Sequence, residues 1–105
     1  MIKNGMRPVH PGEILREDFL VELGMSANAL ARALNVPAPR INDIVRERRG
    51  VSADTALRLA RYFTTDVQSW VNRQANYDIE CARNAAGEEI AHIQPWHGAK
   101  EVAHA

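Results

Sequence analysis

SANALARALNVPAPRINDIVR, residues 26–46, decides how this chain folds. Ser26 is a strong helix N-cap, because its hydroxyl can satisfy an N–H group that a first helical turn leaves unbonded. Behind it Leu30, Ala31 and Leu34 recur at three- and four-residue spacing on one face, and Asn35 can take the left-handed conformation that ends a helix. Pro37 and Pro39 are tolerated only at or just before a first turn, so the next helix starts close to Ala38. Its apolar face is Ile41, Ile44 and Val45. Two short helices joined by a three-residue turn result, with the small Ala31 at their crossing and Asn35 where a turn needs positive φ. Apolar spacing alone would equally fit two ordinary helices packed in a small bundle.

Working outward, Pro11 opens a first helix in which Leu15, Phe19 and Leu23 recur every four residues until Gly24 stops it. On the other side Gly50 ends the charged run from Arg46, and Ser52 caps a fourth helix with Asp54 in its first turn, where a negative charge favours the helix dipole. Ala56, Leu59, Ala60 and Phe63 form its buried stripe. Thr65 is expected to cap a fifth helix carrying Val67, Trp70, Val71 and Cys81, with Tyr77 beside them, and ending between Asn84 and Gly87. From Glu88 onward the pattern is weak and Pro95 forbids helix, so the tail is read as a short strand or loose chain. The expectation is an all-α, five-helix domain over residues 11–86, preceded by an arm, 1–10, and followed by a tail, 87–105. A length of 105 residues suits one such domain and leaves no room for a second.

Turning Ile41, Ile44 and Val45 inward turns Pro39, Arg40, Asn42, Asp43, Arg46 and Glu47 of the third helix outward or to its flanks. That face has the chemistry of base recognition: arginine can meet guanine with two hydrogen bonds, asparagine suits adenine, and aspartate accepts from the cytosine amino group. Arg48 and Arg49, at the helix end, are better placed for phosphate. In a helix-turn-helix the earlier helix braces against the DNA backbone. The candidate DNA-contacting residues are therefore Ser26, Asn28, Ala38, Pro39, Arg40, Asn42, Asp43, Arg46, Arg48 and Arg49. Formal net charge is zero, yet seven arginines lie between Arg32 and Arg61 against Asp43, Glu47 and Asp54. The excess cations sit in the middle of the chain, and the offsetting acids lie mostly in the first helix and the tail. Asp43 and Glu47 repel phosphate, which points to a modest binder that depends on dimerisation. On the fifth helix Trp70, Arg73, Gln74 and Tyr77 are the candidates for a dimer or partner interface, with core packing favoured for Trp70.

Other classes find little support. No window approaches the roughly 18 apolar residues of a membrane span, and the first residues lack a signal-peptide core, so a cytoplasmic protein is expected. One cysteine forms no internal disulfide and reads as a small buried residue. His10, His92, His97 and His104 make no HExxH or paired-cysteine arrangement, so neither a metal site, a cofactor nor an enzyme is expected.

Arg7-Pro8-Val9-His10-Pro11-Gly12-Glu13-Ile14-Leu15, Arg40-Ile41-Asn42 and Ser52-Ala53-Asp54-Thr55-Ala56-Leu57-Arg58-Leu59-Ala60 resemble the HigA branch of the Cro/lambda-repressor-like (XRE) regulators. Trp70, Asn72, Gln74, Tyr77 and Asp78 are similar to that family's fifth helix. Ser69, Arg73 and Glu47 depart from it, standing where relatives tend to have Phe, Leu and Gly. The resemblance implies a lambda-repressor-like fold and a homodimer that represses its own operon from a palindromic operator. It also implies an antitoxin that binds a HigB-type messenger-RNA-cleaving toxin. A stand-alone phage- or plasmid-type repressor fits the same residues, as does a protein-binding module for which Arg40 and Arg46 would be dispensable. A small basic open reading frame beside the gene would separate the antitoxin from the stand-alone repressor.

Overall fold

The computed structural model describes residues 7–97. Its described residues form five helices and no strand. Helix α1 runs without a break through Pro11–Ile14, a π-helical stretch Leu15–Leu20 and Val21–Leu23. Helices α2 (Ala27–Leu34), α3 (Ala38–Val45), α4 (Ala53–Phe63) and α5 (Val67–Ala91) follow. The caps are largely those that local chemistry dictates. Ser26 Oγ accepts from the amide of Ala29 at 3.0 Å, Ser52 Oγ from that of Thr55 at 3.2 Å, and Asn35 is left-handed at φ 60°. Gly24, at φ 61°, ends α1.

The core is continuous. Leu15 and Leu20 of α1, Leu30, Ala31 and Leu34 of α2, Ile41 and Ile44 of α3, Val51, and Ala56, Leu59 and Ala60 of α4 are buried together with Trp70 of α5. Phe19 lies between the rings of Phe63 and Trp70, with centroids 4.7 and 5.4 Å away. At 0% exposure Ile41 and Ile44 anchor the inner face of α3, while Val45 is half-buried at its edge. Gly12 explains how α1 meets α3 so closely: a Cβ there would lie 1.8 Å from the carbonyl oxygen of Ile44. No side chain fits between the first turn of α1 and the last turn of α3.

Four expectations are corrected. Leu23 is exposed, and Leu20 takes the core position instead. In the π segment hydrogen bonds reach five residues back, as from the amide of Val21 to the carbonyl of Arg16, so the wider turn brings residues five apart onto one face. Asp66, not Thr65, caps α5 by accepting from the amide of Ser69 at 2.9 Å. The Thr65 hydroxyl is occupied by the indole N–H of Trp70, also at 2.9 Å. Third, α5 does not end between Asn84 and Gly87, and Glu88–Ala91 is neither strand nor loose chain but its final turn. One glycine costs a helix only about 1 kcal/mol, and the alanines and glutamates around Gly87 are strong helix formers. His92 terminates the helix ahead of Pro95, and the part of the predicted tail beyond residue 97 lies outside the described residues. Fourth, Cys81 is half-buried rather than buried.

Candidate nucleic-acid interface

The outward face of α3 begins at Pro39, in its first turn, and ends at Arg46, its C-cap. Beyond Arg46 the chain turns through Glu47 at φ 61°, and the amide of Arg48 donates back to the Asp43 carbonyl at 2.8 Å. This left-handed closure is where a glycine would be easiest, so Glu47 holds a conformation that is unfavourable for a residue with a side chain. It leaves Arg46, Arg48 and Arg49 exposed in a row at the end of α3. Among the described residues Arg46 and Arg48 form no ion pair, whereas Arg49 lies 3.5 Å from the Asp43 carboxylate. Two charges that looked repulsive toward phosphate are thus partly neutralised inside the protein: Asp43 by Arg49, and Glu47 by Arg16 at 3.4 Å. Arg16 also donates to the carbonyl of Val45, tying α1 to the end of α3.

Arg40 has a role that the sequence did not disclose. Its guanidinium meets the Asp54 carboxylate at 2.5 Å. The same carboxylate oxygen accepts from Arg58 Nε at 2.9 Å, and Arg58 Nη1 donates to the carbonyl of Leu34 at 2.9 Å, at the end of α2. One chain of charge-assisted bonds therefore joins the end of α2, the start of α3 and the start of α4. Arg58 first and then Arg40 hold the Asp54 carboxyl below its usual range. Asp54 and Arg58 stand one helical turn apart, a spacing that could have flagged them as a pair, though nothing local pointed to Arg40.

At the crossing of α2 and α3, Asn42 donates to Asn28 Oδ1 at 2.7 Å and to the carbonyl of Ala38 at 3.0 Å. Ser26 is committed to its cap, with its side chain exposed at the start of α2, and Ala38 is half-buried. Around the α2–α3 surface Ser26, Asn28, Pro39, Arg46, Arg48 and Arg49 are exposed, and Arg40, Asn42 and Asp43 are half-buried.

The α5 candidates divide. Trp70 is 2% exposed and belongs to the core. Gln74 Oε1 accepts from the amide of Val51 at 2.7 Å, closing the loop ahead of α4. Arg73 is exposed, and Tyr77 is half-buried against the edge of His10, with ring centroids 4.8 Å apart. The Cys81 thiol beside Tyr77 raises its phenol above the usual range. His10 itself, given no role from sequence, is 3% exposed and caps α1, its Nδ1 accepting from the amide of Gly12 at 2.8 Å. Burial lowers its pKa. Just before it, Arg7 makes a two-bond pair with Glu13, at 2.7 and 2.8 Å. Among the described residues no group of three or more His, Cys, Asp or Glu could hold a metal ion, and no helix is long and apolar enough to cross a membrane.

A family model described as helix-turn-helix matches residues 15–70. The virulence-associated protein I of Dichelobacter nodosus is 61% identical over 80 residues, covering 76% of this chain and 74% of that protein. The structure of the Pseudomonas aeruginosa antitoxin HigA with the higBA promoter superposes with a TM-score of 0.82 at 57% identity, over 85% of this chain and 98% of that one. A structure of the antitoxin GraA gives a TM-score of 0.85 at 53% identity, over 88% of this chain and all of that one (100%).

Proposed function

The chain belongs to the HigA-type branch of the helix-turn-helix family, and on that premise we propose that it is a sequence-specific DNA-binding autoregulator and the antitoxin of a toxin-antitoxin pair. Residues 11–86 carry DNA reading. As a homodimer the protein sets two copies of α3 into major grooves about 34 Å apart on a palindromic operator. Its α2 braces against the backbone through Ser26 and Asn28. Arg46 and Arg48 supply contacts to bases and phosphates, and Arg40 presents its guanidinium from a fixed position against Asp54. Arg73 and Tyr77 on α5 form the dimer or partner face, with Trp70 and Gln74 holding that helix to the core behind them. Direct binding to a HigB-type toxin that cleaves messenger RNA keeps that toxin inactive, and both activities take place in the cytoplasm.

The observation that carries this reading is the asymmetry of α3. Its inner face is sealed by Ile41 and Ile44, while its outer end carries exposed arginines without ion-pair partners among the described residues. Neutral overall charge makes this local concentration necessary, because phosphate attraction comes from the surface that faces DNA.

A gel-shift titration against the gene's own promoter fragment, with scrambled DNA as the control and salt varied, tests the DNA half. Preference for the promoter with a salt-sensitive affinity is expected. Equal or absent binding to both duplexes would reduce the helix-turn-helix to scaffold. Co-expression with the neighbouring small basic reading frame tests the other half: a stable complex is expected, and failure to co-purify would leave a stand-alone repressor.

A further inference from the structure

The two asparagines at the α2–α3 crossing constrain each other's chemistry. A side-chain amide offers two N–H donors on nitrogen and an acceptor on oxygen, and its orientation follows from its partners. The Ala38 carbonyl can only accept, so the group facing it at 3.0 Å is Asn42 Nδ2. That nitrogen also lies 2.7 Å from Asn28, which must therefore present its oxygen. Both N–H groups of Asn42 are consumed within the protein. What these bonds leave uncommitted is the acceptor oxygen of half-buried Asn42 and, on exposed Asn28, an amide nitrogen with its donors.

An unencumbered asparagine meets adenine with two bonds, donating to N7 and accepting from the N6 amino group. Asn42 has no donor left for N7. In the major groove adenine and cytosine both present an amino group, while guanine and thymine present acceptors at the corresponding edge. We propose that Asn28 and Asn42 act as one reading unit, in which Asn42 accepts from an amino-bearing base, adenine or cytosine, and Asn28 donates to the neighbouring phosphate backbone. This rests on the reading that α3 enters the major groove. The sequence alone pointed to adenine for Asn42; the bond to Asn28 widens the choice to two bases and excludes the other two.

The test is selection of bound duplexes from a randomised DNA library by the full chain, by Asn42→Ala, by Asn28→Ala and by Arg46→Ala. The wild-type protein is expected to show one position per half-site that takes A or C and disfavours G and T. The discrimination should be on the order of five- to tenfold, the worth of one hydrogen bond set against an unpaired acceptor. Asn42→Ala should lose the preference at that position alone. Asn28→Ala should narrow it to A, because the released N–H becomes free to reach N7. On a selected site carrying A, 7-deazaadenine should bind the wild type unchanged and weaken Asn28→Ala, whereas purine, lacking the amino group, should weaken both.

An A-only position that is sensitive to 7-deazaadenine in the wild type would overturn the proposal, since Asn42 would then be reading alone. If Asn42→Ala left every preference intact while Arg46→Ala still weakened binding, the pair would be an interhelical brace and nothing more, with DNA reading unaffected. Were Arg46→Ala silent as well, the placement of α3 would itself be wrong. Thermal melting of the asparagine variants separates a lost preference from a lost fold.

Discussion

Residues 26–46 and the distal half of α5 are both helical, but different forces hold them. In the first region each helix is short, and helices of eight residues have little stability of their own. They persist because Leu30, Ala31, Leu34, Ile41 and Ile44 are buried and because capping and turn residues close their ends. Helix α5 has 25 residues and one buried side chain, Trp70, near its start. Beyond Cys81 its residues are exposed or half-buried, with Ile90 among the large apolar side chains facing solvent. Tertiary packing fixes the surface proposed to meet DNA, whereas propensity and length sustain the far end of α5. Precision is concentrated where the proposed function needs bases to be distinguished.

The contrast can be broken most directly in the core. Ile44→Ala should cost about 2–5 kcal/mol, the range for truncating a fully buried aliphatic side chain, as measured by urea or thermal unfolding. Gly12→Ala should cost about 1–3 kcal/mol, because the added methyl meets backbone rather than a side chain that could move aside. A variant as stable as the wild type would show that α1 and α3 are not pressed together as described. Arg46→Ala should weaken operator binding by about 1–3 kcal/mol if the arginine meets a base, or flatten the salt dependence by about one unit of slope if it meets phosphate. Its melting temperature should stay unchanged, separating function from fold.

Acid should strike the same compact region. His10 has its pKa lowered by burial, so below the ordinary histidine value the unfolded chain takes up a proton that the folded chain resists. Its contribution to stability is complete above about pH 6.5 and is lost as pH falls through the depressed folded value. Protonation also converts Nδ1 from acceptor to donor and uncaps α1. Thermal melts at pH 7.5 and 5.5 should show this loss, and His10→Asn, which keeps an acceptor for the Gly12 amide, should reduce it. The smallest effect belongs to the other side of the comparison: Ile90→Ala should change the stability of the isolated protomer by no more than about 0.5 kcal/mol. A loss comparable with that of Ile44→Ala would mean that the far end of α5 is as tightly built as the head.

What could be read from the sequence follows the same division. Ser26, Asn35 and Ser52 act on backbone groups within a few residues, so their roles were legible locally, as was the inward face of Ile41 and Ile44. The π-helical stretch was not, because four-residue spacing looked complete with Leu23, and only packing against the other helices selects Leu20. Thr65 and Asp66 are both good caps, and the choice between them depends on Trp70, whose indole occupies the Thr65 hydroxyl. At the candidate DNA-binding surface, residue types were legible but their bonds were not. Arg40 and Asp54, and likewise Asn28 and Asn42, are separated by 14 positions and meet only because α2, α3 and α4 fold together. A buried histidine cap looks from sequence like any surface histidine.

The placement of the anchors of α5 in its first half, Trp70 with Gln74 and Tyr77, also orders its fluctuations. Near Trp70 an amide can exchange its hydrogen only when the core opens, so protection there should approach that of global unfolding. Toward Ala91 each turn can open without disturbing a buried side chain, and exchange should quicken along the helix. A protease cutting native protein would therefore enter α5 from its far end and shorten it by degrees, while the buried arrangement around α3 stayed whole.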